Sequence, residues 1–157
     1  MIEESIESFI TQFRAYAAPV EVLARTEGSP MLECVVGQHV LHLLERTNPY
    51  GAQPGQRQII INPTAVTIEP CETSQKQLNP TALSELSAVG LVLERQEEAL
   101  IVDAGVSLVV NMFEAFPEEI IAGDWVRFQS LAPIHGFYVP PTKKSVYQRR
   151  EADADSI

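Results

Sequence analysis

The chain is short of cations, cysteine, tryptophan and long apolar runs, and each shortage removes a class of function. Lys and Arg number 11 against 21 Asp and Glu, a formal net charge of −10. Non-specific attraction to phosphate backbones rests on cations that displace counterions, so the chain as a whole is unsuited to it. The 2 cysteines, Cys34 and Cys71, form no CxxC pair. Each stands beside a carboxylate, Glu33 or Glu72, that raises a thiol pKa, so both read as structural or free thiols rather than nucleophiles. No stretch approaches the ~20 apolar residues of a membrane span, and the N-terminus lacks the cationic start and apolar run of a secretory signal. A cytoplasmic protein with no membrane partner is expected. No phosphate loop, dinucleotide glycine pattern, nucleophile elbow or carboxylate-rich metal motif is present, so no cofactor and no metal are predicted.

What the chain does have is an echo of itself. Val22-Leu23-Ala24-Arg25-Thr26-Glu27 reads against Val92-Leu93-Glu94-Arg95-Gln96-Glu97, and Gly37, Pro49 and Gly55 are answered by Gly105, Pro117 and Gly123 at one constant offset of 68 residues. The opening motif needs an offset of 70 and the match fades after Gly55, where Ile59-Ile60-Ile61 faces Arg127-Phe128-Gln129. Glycine and proline are the residues whose backbone geometry is hardest to replace, so their recurrence is compatible with two copies of a small β unit, the alternative being the strand–turn–Gly echoes that any β-rich chain yields at turn spacing.

Along the chain, Ile6, Phe9, Ile10, Phe13 and Tyr16 follow the three-and-four spacing of one helix face, and Pro19 closes that segment. Short β-branched or alternating runs come next, over 20–26, 31–36, 39–44, 58–61, 65–69, 91–95, 99–103, 106–112, 124–129 and 134–139, with Gly or Pro between them. Ten such strands make an all-β signal. Asn79-Pro80 followed by Leu83 and Leu86 reads as a capped helix joining two units. The expectation is a mainly β protein with an N-terminal helix (1–18), a first β unit (19–76), a helical connector (77–90), a second β unit (91–140) and a flexible charged tail (141–157). The order of elements over 91–139 is similar to that of an OB-type barrel, with an SH3-like barrel fitting nearly as well. The fold class predicted is therefore mainly β, a short N-terminal helix followed by small antiparallel β-barrel units, OB-like or SH3-like, with tandem duplication as one arrangement of them.

Small barrels bind across a strand face and its loops, often with aromatic platforms. Alternation sends Val126 and Phe128 to one face and Trp125 and Arg127 to the other, where the pair would be displayed together as at binding hot spots. Tyr138, and Tyr50 in the turn-rich loop over 47–57, are further candidate contacts. So are Lys143, Lys144, Arg149 and Arg150, a basic patch followed by an acidic end. His39 and His42 lie an odd number apart on a strand and cannot share one metal. His135, with Asp103 and Asp124 elsewhere, is the only candidate centre for an enzyme. The reading that follows is a non-enzymatic acidic module that engages a protein with a basic surface, as an adaptor, accessory factor or immunity-type inhibitor. The alternative is an OB-like binder of single-stranded nucleic acid using Trp125, Arg127 and the basic patch.

Overall fold

Apolar residues at helical spacing form a helix where expected: α1 spans Ile2–Phe13 and gives way to a 3-10 turn over Arg14–Tyr16. In this computed structural model the residues described are 2–25, 29–47, 52–112 and 114–141, with side chains from Ile6 onward. Among the described residues nine strands follow α1: β1 Ala18–Val22, β2 Met31–Val36, β3 His39–Glu45, β4 Gly55–Pro70, β5 Gln77–Ala82, β6 Glu85–Arg95, β7 Leu100–Asp103, β8 Ser107–Met112 and β9 Trp125–Val139. The protein is mainly β, and among the described residues no helix is long and apolar enough to cross a membrane.

The strands form one sheet, ordered β1-β2-β3-β9-β4-β8-β7-β6-β5, which closes on itself through the further pairings of β1 with β4 and of β6 with β9. Two circuits result, β1-β2-β3-β9-β4 and β6-β7-β8-β4-β9, and they share the long β4–β9 ladder. Strands on either side of the expected boundary thus interleave, since β4 lies against both β8 and β9. Two ladders, β3 with β9 and β4 with β8, are parallel, which departs from the purely antiparallel units expected. Parallel partners need long connections, and here they are far apart in the chain.

The helical connector is a second departure. Residues 77–90 hold no helix but the hairpin of β5 and β6, with Asn79 opposite Ser87 and Pro80 opposite Leu86. Proline is compatible with an edge strand because it lacks only a donor that an edge can spare, and β5 ladders with β6 alone. Prolines also lie inside strands rather than between them. Pro63 and Pro133 separate four of the expected runs, yet each lies within a continuous strand, where the β4–β9 register shifts. Such bulges absorb a residue that cannot donate to the ladder. Pro19 likewise stands inside β1.

Alternation builds the core. Val20, Leu32, Leu41, Leu43, Ile59, Ile61, Leu86, Leu100, Leu108, Val126 and Ile134 meet in one interior cluster drawn from both circuits. Ile60 points the other way and joins Ile101, Val109, Phe137 and Val139 beneath α1. There Phe9 stacks on Phe137 with ring centroids 4.3 Å apart. The unbroken run Ile59-Ile60-Ile61 is explained by this helix, because a strand covered on both faces needs no polar alternation.

The pairing pattern also repeats. β1 ladders antiparallel with β2 and β4, β2 with β3, and β3 parallel with β9. In the same order β6 ladders antiparallel with β7 and β9, β7 with β8, and β8 parallel with β4. Even the register agrees in places: Glu21 opposite Val35 and Val22 opposite Cys34 are answered by Leu91 opposite Asp103 and Val92 opposite Val102. Those offsets, 70 on one strand and 68 on the other, are the offsets of the sequence echo. Gly37, Gly55, Gly105 and Gly123 all adopt positive φ, the backbone region that favours glycine.

Candidate functional site

β9 starts at Trp125 and alternates strictly at first. Val126 and Phe128 are buried, Trp125 is half-buried and Arg127 is exposed. The outward residues continue across four strands in two aligned rows. One row is Glu69, Arg127, Val89 and Gln77, on β4, β9, β6 and β5; the other is Thr67, Gln129, Ser87 and Asn79 on the same strands. These rows line an open groove of about 290 Å³. Arg127 Nε donates to Glu69 Oε1 at 2.7 Å, so the groove's two charges neutralise one another. Tyr138 does not join this face. It has the inward parity of β9 and rests against the interior cluster, and its backbone N–H reaches Thr47 Oγ1 at 3.3 Å. Tyr50, Lys143, Lys144, Arg149 and Arg150 lie outside the described residues.

A second feature is the end of the sheet formed by the β6–β7 turn and the β8–β9 loop. Arg95, the last residue of β6, donates through Nη1 to Pro117 O at 2.6 Å and Ile120 O at 2.7 Å, and through Nη2 to Phe116 O at 3.3 Å. Its guanidinium carbon stands 6.0 Å from the Phe116 ring centroid. Asn111 Nδ2 donates to Glu98 O at 2.6 Å and so ties β8 to the same turn. The carboxylates of Glu97, Glu98, Glu114, Glu118 and Glu119 are all on exposed residues, beside Ile121, which is 59% exposed. Among the described residues Arg95 forms no ion pair with any of them, its hydrogen bonds going to carbonyl oxygens.

Arg25, its echo partner, holds the loop after β3 by a different route. It pairs with Glu45, whose side chain is only 2% exposed and also accepts from Thr47 Oγ1 at 3.3 Å and Ala52 N–H at 3.0 Å. The two arginines of the echo therefore do equivalent work on the loop that follows the third strand of each half. The repeated Arg is plain in the sequence but its task is not, because the acceptors lie some twenty residues further on.

The remaining candidates separate. His135 is half-buried, and the Arg46 guanidinium donates to its Nδ1 at 3.3 Å. Burial lowers its pKa and the nearby cation lowers it further. Asp103 binds Lys76 Nζ at 2.6 Å and Asp124 accepts from Ile121 N–H at 3.0 Å, so neither carboxylate is bonded to the imidazole. His39 shares the parity of buried Leu41 and Leu43 on β3 while His42 has the other, lying 3.9 Å from Glu33. Burial drives the Cys34 thiol up to about 12, with Glu45 adding to the effect, so it is no nucleophile. Among the described residues no three His, Cys, Asp or Glu group as metal ligands.

No protein-family model, curated protein or solved structure matches the chain.

Proposed function

We propose that the chain is an internally duplicated, non-enzymatic binding module that engages a protein with a basic surface through the loops at its acidic end. The observation that carries this reading is the division of charge between equivalent segments. From Glu94 to Asp124 the sequence holds Glu94, Glu97, Glu98, Asp103, Glu114, Glu118, Glu119 and Asp124 against Arg95 alone. The corresponding stretch 24–54 holds Glu27, Glu33 and Glu45 against Arg25 and Arg46. Two halves that share ladders and loop clamps differ most in charge, and a difference the scaffold does not require favours a role in recognition. Exposed Ile121 supplies an apolar contact within the acidic rim, the usual anatomy of a protein interface. Asp103 is paired with Lys76, and the negative charge of the exposed glutamates accelerates encounter with a cationic partner.

The test compares the wild type with a Glu97→Lys/Glu118→Lys/Glu119→Lys variant in nuclease-treated native lysate, followed by association rates for the protein captured. A stoichiometric partner retained by the wild type, bound at least tenfold more slowly by the variant and released by salt, supports the proposal. Equal capture and equal association rates for both proteins would overturn it.

A further inference from the structure

The groove over Arg127 lies apart from the acidic loops and has a different chemistry. Thr67, Gln77, Asn79, Ser87 and Gln129 make no side-chain hydrogen bond among the described residues, so amide and hydroxyl groups on four adjacent strands keep their donors and acceptors free. Arg127 spends only Nε on Glu69, leaving both terminal nitrogens available. The ion pair offsets the local charge. Half-buried Trp125 stands on the same outward parity of β9, two residues along the strand from Arg127.

We propose that this face binds a neutral oligosaccharide. A sugar hydroxyl both donates and accepts, and Gln, Asn and Ser side chains offer both functions from a single group. Aligned rows on a rigid sheet hold these groups in fixed register without ordering a loop. Four strands span about 14 Å, the length of about two or three linked pyranose rings. A nucleic-acid strand fits less well, because its phosphates need uncompensated cations and the groove's single cation is paired. The groove is open, so affinity is weak, with Kd on the order of 1 mM.

Backbone-amide NMR titration of the full chain with cellohexaose, maltohexaose and chitohexaose tests the assignment, with an oligothymidylate as the competing ligand. At least one sugar is expected to shift amides of 67–69, 77–79, 87–89 and 125–129, with no dependence on salt. Arg127→Ala and Gln129→Ala each weaken binding about tenfold, the loss of one or two hydrogen bonds. Gln77→Ala repeats the test from a second strand should the β9 variants fail to fold. Glu118→Lys leaves sugar binding unchanged, which separates this site from the acidic end. No shift with any of the three sugars, or shifts that persist undiminished in all three groove variants, would overturn the proposal. Shifts of these amides by oligothymidylate alone, falling steeply with salt, would overturn it in favour of nucleic acid.

Discussion

Replacing Arg95 by alanine is the sharpest probe of how the acidic end is held. Two short bonds from one nitrogen and a longer third from the other are removed at once, at 2.6, 2.7 and 3.3 Å. A hydrogen bond from a charged donor contributes about 1.5–3 kcal/mol net, and bonds sharing a donor group do not add in full. The ring contact with Phe116 contributes about 0.5 kcal/mol more. Water can reach part of the loop, so the expected loss is about 3 kcal/mol. For a chain of this length that lowers Tm by about 6–12 °C. Thermal unfolding followed by Trp125 fluorescence reads the shift, and amide exchange over 116–124 should accelerate in parallel. Arg95→Lys restores the charge but not the fork that reaches three carbonyls, and should recover less than half of the loss. Arg25→Ala should cost more, about 3–5 kcal/mol, because it strands the buried Glu45 carboxylate where Arg95 leaves only neutral carbonyls. A Tm within about 2 °C of wild type for Arg95→Ala, or full rescue by lysine, would refute the clamp.

Three further outcomes follow from local geometry. Ser84 is buried at φ 57, donates to His42 O at 2.6 Å and accepts from Ile134 N–H at 2.8 Å. Ser84→Ala should cost about 1–3 kcal/mol by urea titration, and Ser84→Gly about 1 kcal/mol less because glycine tolerates that backbone. At Gly90 an added Cβ would meet Asp103 O and Val102 Cγ1 at 2.6 Å, whereas at Gly136 the nearest atom, Leu43 Cβ, is 3.1 Å away. Gly90→Ala should therefore destabilise by about 1–3 kcal/mol or more and Gly136→Ala by less, and the reverse order would contradict the close approach of β6 and β7. Because the folded pKa of His135 lies below its ordinary 6.5, the unfolded chain binds the extra proton first. Stability contributed by neutral His135 is full above about pH 6.5 and is lost as pH falls through the folded value, so His135→Gln should flatten the urea midpoint between about pH 7 and 5.

Sequence and structure agree where the local pattern is what decides. The three-and-four spacing of Ile6, Phe9, Ile10 and Phe13 found α1, and alternation through Val126 and Phe128 placed Trp125 and Arg127 on the outward face. Asn79-Pro80 misled because a capping signal is local, while the strand at 77–82 is imposed by β6 lying alongside. Pro63 and Pro133 read as breaks because nothing nearby in sequence announces a bulge, which exists only relative to the opposite strand. The site divides in the same way. Arg127 was visible, but its partner Glu69 is 58 residues away in the chain and becomes adjacent only through the β4–β9 ladder. The neutral groove was invisible for that reason, being four strands' worth of unremarkable Thr, Ser, Asn and Gln brought into two rows.

The proposed function assigns scaffold and recognition to different parts of this chain. β4 and β9 ladder along both edges, and among the described strands only β5 has a single partner. With so few free edges, most backbone donors and acceptors are already spent within the sheet, so the loops and outward side chains can change without breaking a ladder. The echo fits that division: it persists in the turn glycines and the Arg25 and Arg95 clamps, and it lapses in the charges of the loops they hold. Stability and binding should therefore separate by position. On the proposed function, replacing Glu118, exposed on the clamped loop, should slow encounter with a partner and change the fold little, whereas replacing Arg95 should change both, since loosening the loop disperses the charge it presents.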